Sequence, residues 1–139
     1  MTKPEIIADS ICVDASCLGN PGELEYRGVY TKTGQELFRS AIFPMGTNNL
    51  GEFLAIAHGL QYLWDREQNI PIYSDSEVAM LWIRNKQVKT TLPRNRQTWH
   101  IWQEIEQRLH WLRTHSPTTP ILKWDTTNWG QIPADFGRK

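Results

Sequence analysis

Four carboxylates sit where the chain changes from one local pattern to another. Asp14 follows the apolar run Ile11-Cys12-Val13, Asp75 follows Ile72-Tyr73-Ser74, Glu52 falls near the start of a helical period, and Asp135 lies on the C-terminal tail. A carboxylate beside an apolar strand is costly to desolvate unless something pairs with it. Taken alone, Asp14 reads either as a solvated acid at a sheet edge or as a metal ligand. Four such groups brought together cannot all stay ionised without a counter-charge, because like charges raise each other's pKa. Mg²⁺ is the natural partner, a hard cation that takes oxygen ligands and shares its shell with water and phosphate. His58, His100, His110 and His115 lack the spacing of a zinc set. Cys12 and Cys17 offer neither a second pair for zinc nor a disulfide framework, and fit a reducing compartment. Glu23, Glu25, Glu36, Asp65, Glu67, Glu104 and Glu106 read as solvated. Glu77, two residues past Asp75, is close enough to share its site, and Asp125 is left open.

The elements that must position these acids follow from periodicity. Residues 5–17 read as a first strand, Gly19-Asn20-Pro21-Gly22 as a turn, 23–32 as a second strand and 36–45 as a third, which makes an antiparallel meander. From Asn48 to about Glu67, Phe53, Ala57, Leu60 and Trp64 recur at helical spacing, with Thr47, Asn48 and Asn49 as candidate caps. Residues 71–75 form a short strand ending on Asp75, and Ser76 to about Asn85 a second helix. Asn95–His115 is a third helix with Trp99, Trp102, Ile105, Leu109 and Leu112 on its apolar face, and 121–124 a last strand before a turn or short helix. The order βββαβααβ predicts an α/β fold with a five-stranded mixed sheet and helices on both faces. In such sheets, sites gather at strand ends.

At 139 residues, with 40% hydrophobic and 22% charged side chains, the chain is expected to fold as one domain spanning 1–139. No apolar run approaches the roughly 20 residues of a membrane span. Met1–Glu5 has no signal-like apolar segment, so a cytoplasmic protein is expected, with monomer as the default state. Fifteen basic and fifteen acidic residues cancel, which argues against binding nucleic acid through total charge. Yet Arg84, Lys86, Lys89, Arg94 and Arg96 fall in one stretch without an acid. That stretch is either a solvated basic loop or a phosphate-contacting surface.

The segments Val13-Asp-Ala-Ser-Cys-Leu-Gly-Asn-Pro-Gly22, Thr47-Asn-Asn-Leu-Gly-Glu-Phe-Leu-Ala55, Tyr73-Ser-Asp-Ser76 and Ala134-Asp-Phe-Gly137 resemble type 1 ribonuclease H. The order of the motifs and the spacing of the acids, 38, 23 and 60 residues, fit that family over nearly the whole chain. The likeness is to the catalytic domain of small bacterial enzymes, with no long basic protrusion between the second and third helices. It implies an RNase H-like fold and a Mg²⁺-dependent endonuclease that hydrolyses the RNA strand of an RNA–DNA hybrid, leaving 5′-phosphate and 3′-hydroxyl ends. It implies two Mg²⁺ ions, with Mn²⁺ able to substitute. Asp14 would bridge the ions, Asp135 would help hold the one at the attacking water, and Glu52 and Asp75 the one at the leaving oxygen.

The same resemblance assigns substrate contacts. Asn20, Asn48 and Asn49 match minor-groove contacts, and amides suit the 2′-hydroxyl because they donate and accept. Glu77 matches a position facing the ribose, and the backbone from Ser16 to Gly19 is placed to approach the RNA. Trp82 resembles an aromatic packed on deoxyribose, with a core tryptophan as the other reading. Thr90 and Thr91, with Thr47, resemble a DNA-phosphate pocket. The family usually carries His or Glu where Gln131 stands here, which predicts slower turnover. Two other readings are a catalytically weak hybrid-binding protein of the same fold and a recombinase or transposase, for which the chain lacks extra DNA-binding length.

Overall fold

The computed structural model describes residues 5–137. Met1–Pro4, within the stretch inspected for a targeting segment, and Arg138–Lys139, at the end of the tail, lie outside them. The chain runs β1 (Ile11–Gly19), β2 (Gly22–Tyr30), β3 (Glu36–Arg39), β4 (Phe43–Gly46), α1 (Asn48–Asp65), β5 (Ile72–Ser74), α2 (Glu77–Asn85), α3 (Trp99–Thr114), β6 (Ile121–Lys123) and α4 (Thr126–Trp129). The sheet order is β3-β2-β1-β5-β6, with β4 also paired to β2. The β1–β2, β2–β3 and β2–β4 pairs are antiparallel; β1–β5 and β5–β6 are parallel. The mixed α/β architecture is therefore the expected one.

The strand count differs from the expected five, because the third strand is two. Ser40 exchanges backbone for side chain against Tyr26: its N–H donates to the Tyr26 carbonyl and its Oγ accepts from the Tyr26 N–H, both at 2.9 Å. The hydroxyl replaces a ladder acceptor, the backbone departs over 40–42, and β4 resumes against Leu24 and Gly22 with a shifted register. The first strand starts later than expected, at Ile11, and runs further, to Gly19. It continues because it pairs with β2 up to Gly19↔Gly22 across a two-residue turn, where Gly19 takes a φ of +93° that glycine adopts freely. The third helix starts at Trp99 rather than Asn95. Asn95 Oδ1 accepts from the amides of Gln97 and Thr98, and Thr98 Oγ1 donates to the Pro93 carbonyl, which holds the segment as a turn.

Alternation along β1 divides the core. Ile11 and Val13 point into the larger cluster with α1, α2 and α3, built on Phe53, Leu54, Leu60, Ile101, Ile105 and Leu112. Cys12 points the other way, into a smaller cluster with Val29, Tyr73, Trp124, Ile132 and Ala134. The long helices thus share one face, while α4 and the tail cover the other. Trp64 and Trp99, which helical spacing puts on apolar faces, remain 45% and 54% exposed. Trp64 lies near the end of α1 and packs edge-on against Trp111 and His115 instead. Two acids expected to be simply solvated are engaged by the fold. Glu25 is buried on β2 and pairs with Arg39 at 3.2 Å, and Glu104 accepts from the Tyr26 hydroxyl at 3.0 Å and pairs with Arg108. Asp125, unassigned by sequence, caps α4 by accepting from the Asn128 amide at 3.2 Å.

Candidate metal centre and nucleic-acid surface

Asp14 lies within β1, not at its end, because the hairpin with β2 carries the strand onward. It does stand just past the parallel pairing, which stops at Cys12↔Tyr73, two residues before Asp75. By alternation, Asp14 leaves the same sheet face as Cys12, and Asp75 is the first residue past β5. Glu52 arrives from α1. Thr47 caps this helix, its Oγ1 accepting from the Leu50 amide at 3.4 Å. One turn in, Gly51 allows the helix to press on the sheet: a Cβ there would meet Leu24 Cδ1 at 2.4 Å and Ala15 Cβ at 2.8 Å. That approach brings Glu52 Oε1 within 3.2 Å of the Ala15 amide, which donates to it.

Asp14, Glu52 and Asp75 each offer a carboxylate oxygen within 4.8 Å of the others. Asp14 is 6% exposed and Glu52 2%. Burial pushes the Glu52 carboxyl well above the usual carboxylate range, and the adjoining Asp14 and then Asp75 push it further. Asp14 is raised too, by burial first and then by Asp75 and Asp135, while Glu52 and the Ala15 amide pull the other way. Asp135 stands outside the set of three, on a tail segment whose charge nonetheless reaches Asp14. Its Oδ2 accepts from the Gly137 amide at 3.0 Å.

These residues fit a divalent cation. Glu52 Oε2 is buried without a hydrogen-bond partner among the described residues. Such an orphaned acceptor, in a set of three converging hard oxygen donors, suits Mg²⁺ or Mn²⁺ rather than a soft or nitrogen-seeking metal.

The substrate candidates form two groups. Asn20, at the β1–β2 turn, accepts from the Asn48 amide through Oδ1 at 3.1 Å, so the turn and the start of α1 are clipped together. Asn20, Asn48 and Asn49 are exposed, Ser16 is partly buried on β1, and Glu77 is the exposed first residue of α2. The second group lies around 82–96. Trp82 is 7% exposed and edge-on to Phe53, so its body belongs to the core. Thr90 Oγ1 accepts from the Leu92 amide at 3.2 Å, and Thr91 is exposed. Arg84, Lys86, Lys89, Arg94 and Arg96 are all exposed. Gln131 is exposed on the tail.

Sequence reasoning passed over two cations. Lys123 Nζ donates to the Asp75 carbonyl at 2.9 Å, and Arg27 donates to the carbonyls of Ala134 and Asp135. Both act on the backbone of acid-bearing segments. The register that sets Arg27 opposite Asp14 is a property of the hairpin, not of any local motif.

A mixed α/β sheet of this order, with three acids gathered where its parallel pairing stops, is a fold and a candidate site, and the comparisons supply the class. The family model for RNase H matches residues 8–120, and the chain belongs to the RNase H family. A ribonuclease H of Nitratidesulfovibrio vulgaris (strain DSM 19637 / Miyazaki F) is 33% identical over 118 residues, covering 74% of this chain and 75% of that protein. A ribonuclease H of Oleidesulfovibrio alaskensis is 29% identical over 121 residues, covering 76% and 78%. Among solved structures, LC11-RNase H1, isolated from compost, superposes with a TM-score of 0.55 at 21% identity, covering 85% of this chain and 84% of that one. RNase H1 from Halobacterium salinarum NRC-1 gives 0.53 at 16%, covering 85% and 86%. LC11-RNase H1 in complex with an RNA/DNA hybrid gives 0.54 at 20%, with the same coverage. Gln131 and Asp135 lie beyond the residues that the family model matches.

Proposed function

We propose that this RNase H family member hydrolyses the RNA strand of RNA–DNA hybrids as a single catalytic domain, leaving 5′-phosphate and 3′-hydroxyl ends. The observation that carries the reading is the convergence of Asp14, Glu52 and Asp75 around an unmet, buried Glu52 oxygen. The hybrid bound by the LC11 relative supports the substrate class.

Asp14, Glu52 and Asp75 are the residues that would hold one divalent cation, and Asp135 would join Asp14 in holding a second. Two such ions, Mg²⁺ or Mn²⁺, supply positive charge against the attacking and departing oxygens of an in-line displacement. The chain supplies the rest. Water attacks phosphorus and gives up a proton to solvent, the P–O3′ bond breaks, the phosphate stays on the 5′-oxygen of the downstream nucleotide, and the departing 3′-oxygen takes a proton from solvent to become a hydroxyl. Asn20 and Asn48, joined at 3.1 Å, present amides to the 2′-hydroxyls that distinguish RNA from DNA. Asn49, Ser16, Glu77 and the Gly19 backbone extend that surface. Thr47, Thr90 and Thr91 serve the DNA strand, beside cations that attract phosphate without reading sequence, while Trp82, 7% exposed, serves the core.

The test is cleavage of a labelled hybrid with Mg²⁺, Mn²⁺ or EDTA, beside duplex DNA and duplex RNA. Metal-dependent cutting of the hybrid's RNA strand is expected, with Asp14→Asn reducing it to background while the fold is retained. No cutting of the hybrid with either metal overturns the enzyme reading and leaves the hybrid-binding alternative. Equal cutting of duplex DNA overturns the substrate.

A further inference from the structure

We propose that Arg27 is a positioning residue for Asp135, gripping the backbone that carries the fourth carboxylate; the proposal rests on the reading of Asp135 as a metal ligand. Arg27 lies on β2 directly opposite Asp14, so the two side chains leave the same face of the sheet. Among the described residues its ion pair is with Glu36, at 3.5 Å. Toward the tail, Nε donates to the Ala134 carbonyl at 2.9 Å and an Nη to the Asp135 carbonyl at 2.7 Å. These carbonyls belong to the peptide groups on either side of the Asp135 Cα. Holding both leaves the side-chain torsions of Asp135 as its main remaining freedom.

The surroundings make the grip rigid. Arg27 and Arg39 are cross-strand partners on β2 and β3, and the ring of Phe136 lies under both guanidinium groups, at 4.9 and 5.1 Å. Arg39 is itself held by Glu36 at 3.0 Å and Glu25 at 3.2 Å. On the other side of Asp135, Ile132 and Ala134 are buried against Cys12 and Val29. The segment 130–137 forms neither helix nor strand, so side chains must fix what a ladder would otherwise fix. Arginine suits the task because its donors form a planar fork, whereas a lysine ammonium is a single point charge.

The test compares Arg27→Gln and Arg27→Lys with Asp135→Asn. It reads hybrid cleavage, the Mg²⁺ concentration for half-maximal rate, and amide exchange across the tail. For Arg27→Gln, kcat should fall by roughly 10–100-fold and the Mg²⁺ requirement rise, the scale seen when support behind a metal ligand is removed. KM for the hybrid should stay within about twofold, the mark of an interaction that acts on the transition state rather than on binding. The Asp135, Phe136 and Gly137 amides should exchange as freely as exposed loop, with β1 and β2 still protected. Arg27→Lys should keep most of the defect. Should Arg27→Gln fail to fold, Phe136→Leu loosens the same grip and should shift the same readouts in the same direction. Normal kcat and Mg²⁺ dependence in Arg27→Gln, with Asp135→Asn impaired, overturns the positioning role alone. Full recovery in Arg27→Lys also overturns it, since charge would then suffice. Wild-type activity in Asp135→Asn instead overturns the ligand reading, and the proposal with it.

Discussion

Glu52 has one carboxylate oxygen on the Ala15 amide and the other unmet, and lies 2% exposed beside Asp14. Its folded pKa is raised, so its contribution to stability is complete below the unfolded value of about 4.3 and is lost as pH rises through the folded value. Without metal, the protein should therefore lose stability from weakly acidic toward alkaline pH. Glu52→Gln should stabilise the metal-free protein at pH 8 by about 1–3 kcal/mol, because the amide puts no charge in a buried position beside Asp14 and Asp75, and change little at pH 4. Melting curves at the two pH values, with and without Mg²⁺, measure this; no gain at pH 8 counts against an electrostatic load at Glu52. Gln131 poses the opposite question. It is exposed and its amide cannot carry a proton or a charge as His or Glu can. Gln131→Glu should raise the multiple-turnover rate roughly tenfold, a part of the ~100-fold or more that a positioned acid–base group contributes. An unchanged steady-state rate would remove the basis for assigning that position a role.

At the scale of elements, α1 reaches β1 only because position 51 lacks a side chain. Gly51→Ala would gain up to about 1 kcal/mol of helix propensity. It would also force a Cβ to 2.4 Å from Leu24 and 2.8 Å from Ala15, and overpacking of that kind costs about 1–3 kcal/mol. Leu24 can turn its end away; Ala15 has nothing to move but backbone. The expected result is a net loss of about 1 kcal/mol in urea denaturation and a larger fall in kcat, as Glu52 is displaced from the Ala15 amide. The elements themselves were largely legible, since α1 and α3 have helical period and β1 and β2 are joined by a four-residue turn signature. The break between β3 and β4 was not, because it depends on the Ser40 hydroxyl substituting for a backbone acceptor of a strand neighbour. The burial of Glu25 was missed for a similar reason: its partner, Arg39, is on another strand.

Across the whole molecule, three acids distant in sequence meet because the β1–β5 pairing stops, β5 ends and α1 begins along one border of the sheet. Their identity was readable from motif and spacing; their geometry and burial were not, since both depend on how closely α1 packs and where the β1–β5 pairing stops. The tail was the least legible part. The grip of Arg27 on it arises from a residue 108 positions earlier. One consequence concerns thermodynamic linkage. Ile132 and Ala134 seal the second apolar cluster, and the next residue in the chain is Asp135. On the ligand reading, lifting the tail would uncover Cys12 and Val29 and withdraw a cation-holding carboxylate in the same movement. Occupancy of the metal site and dryness of the far side of the sheet would then favour each other, with one free energy of coupling viewed from either end.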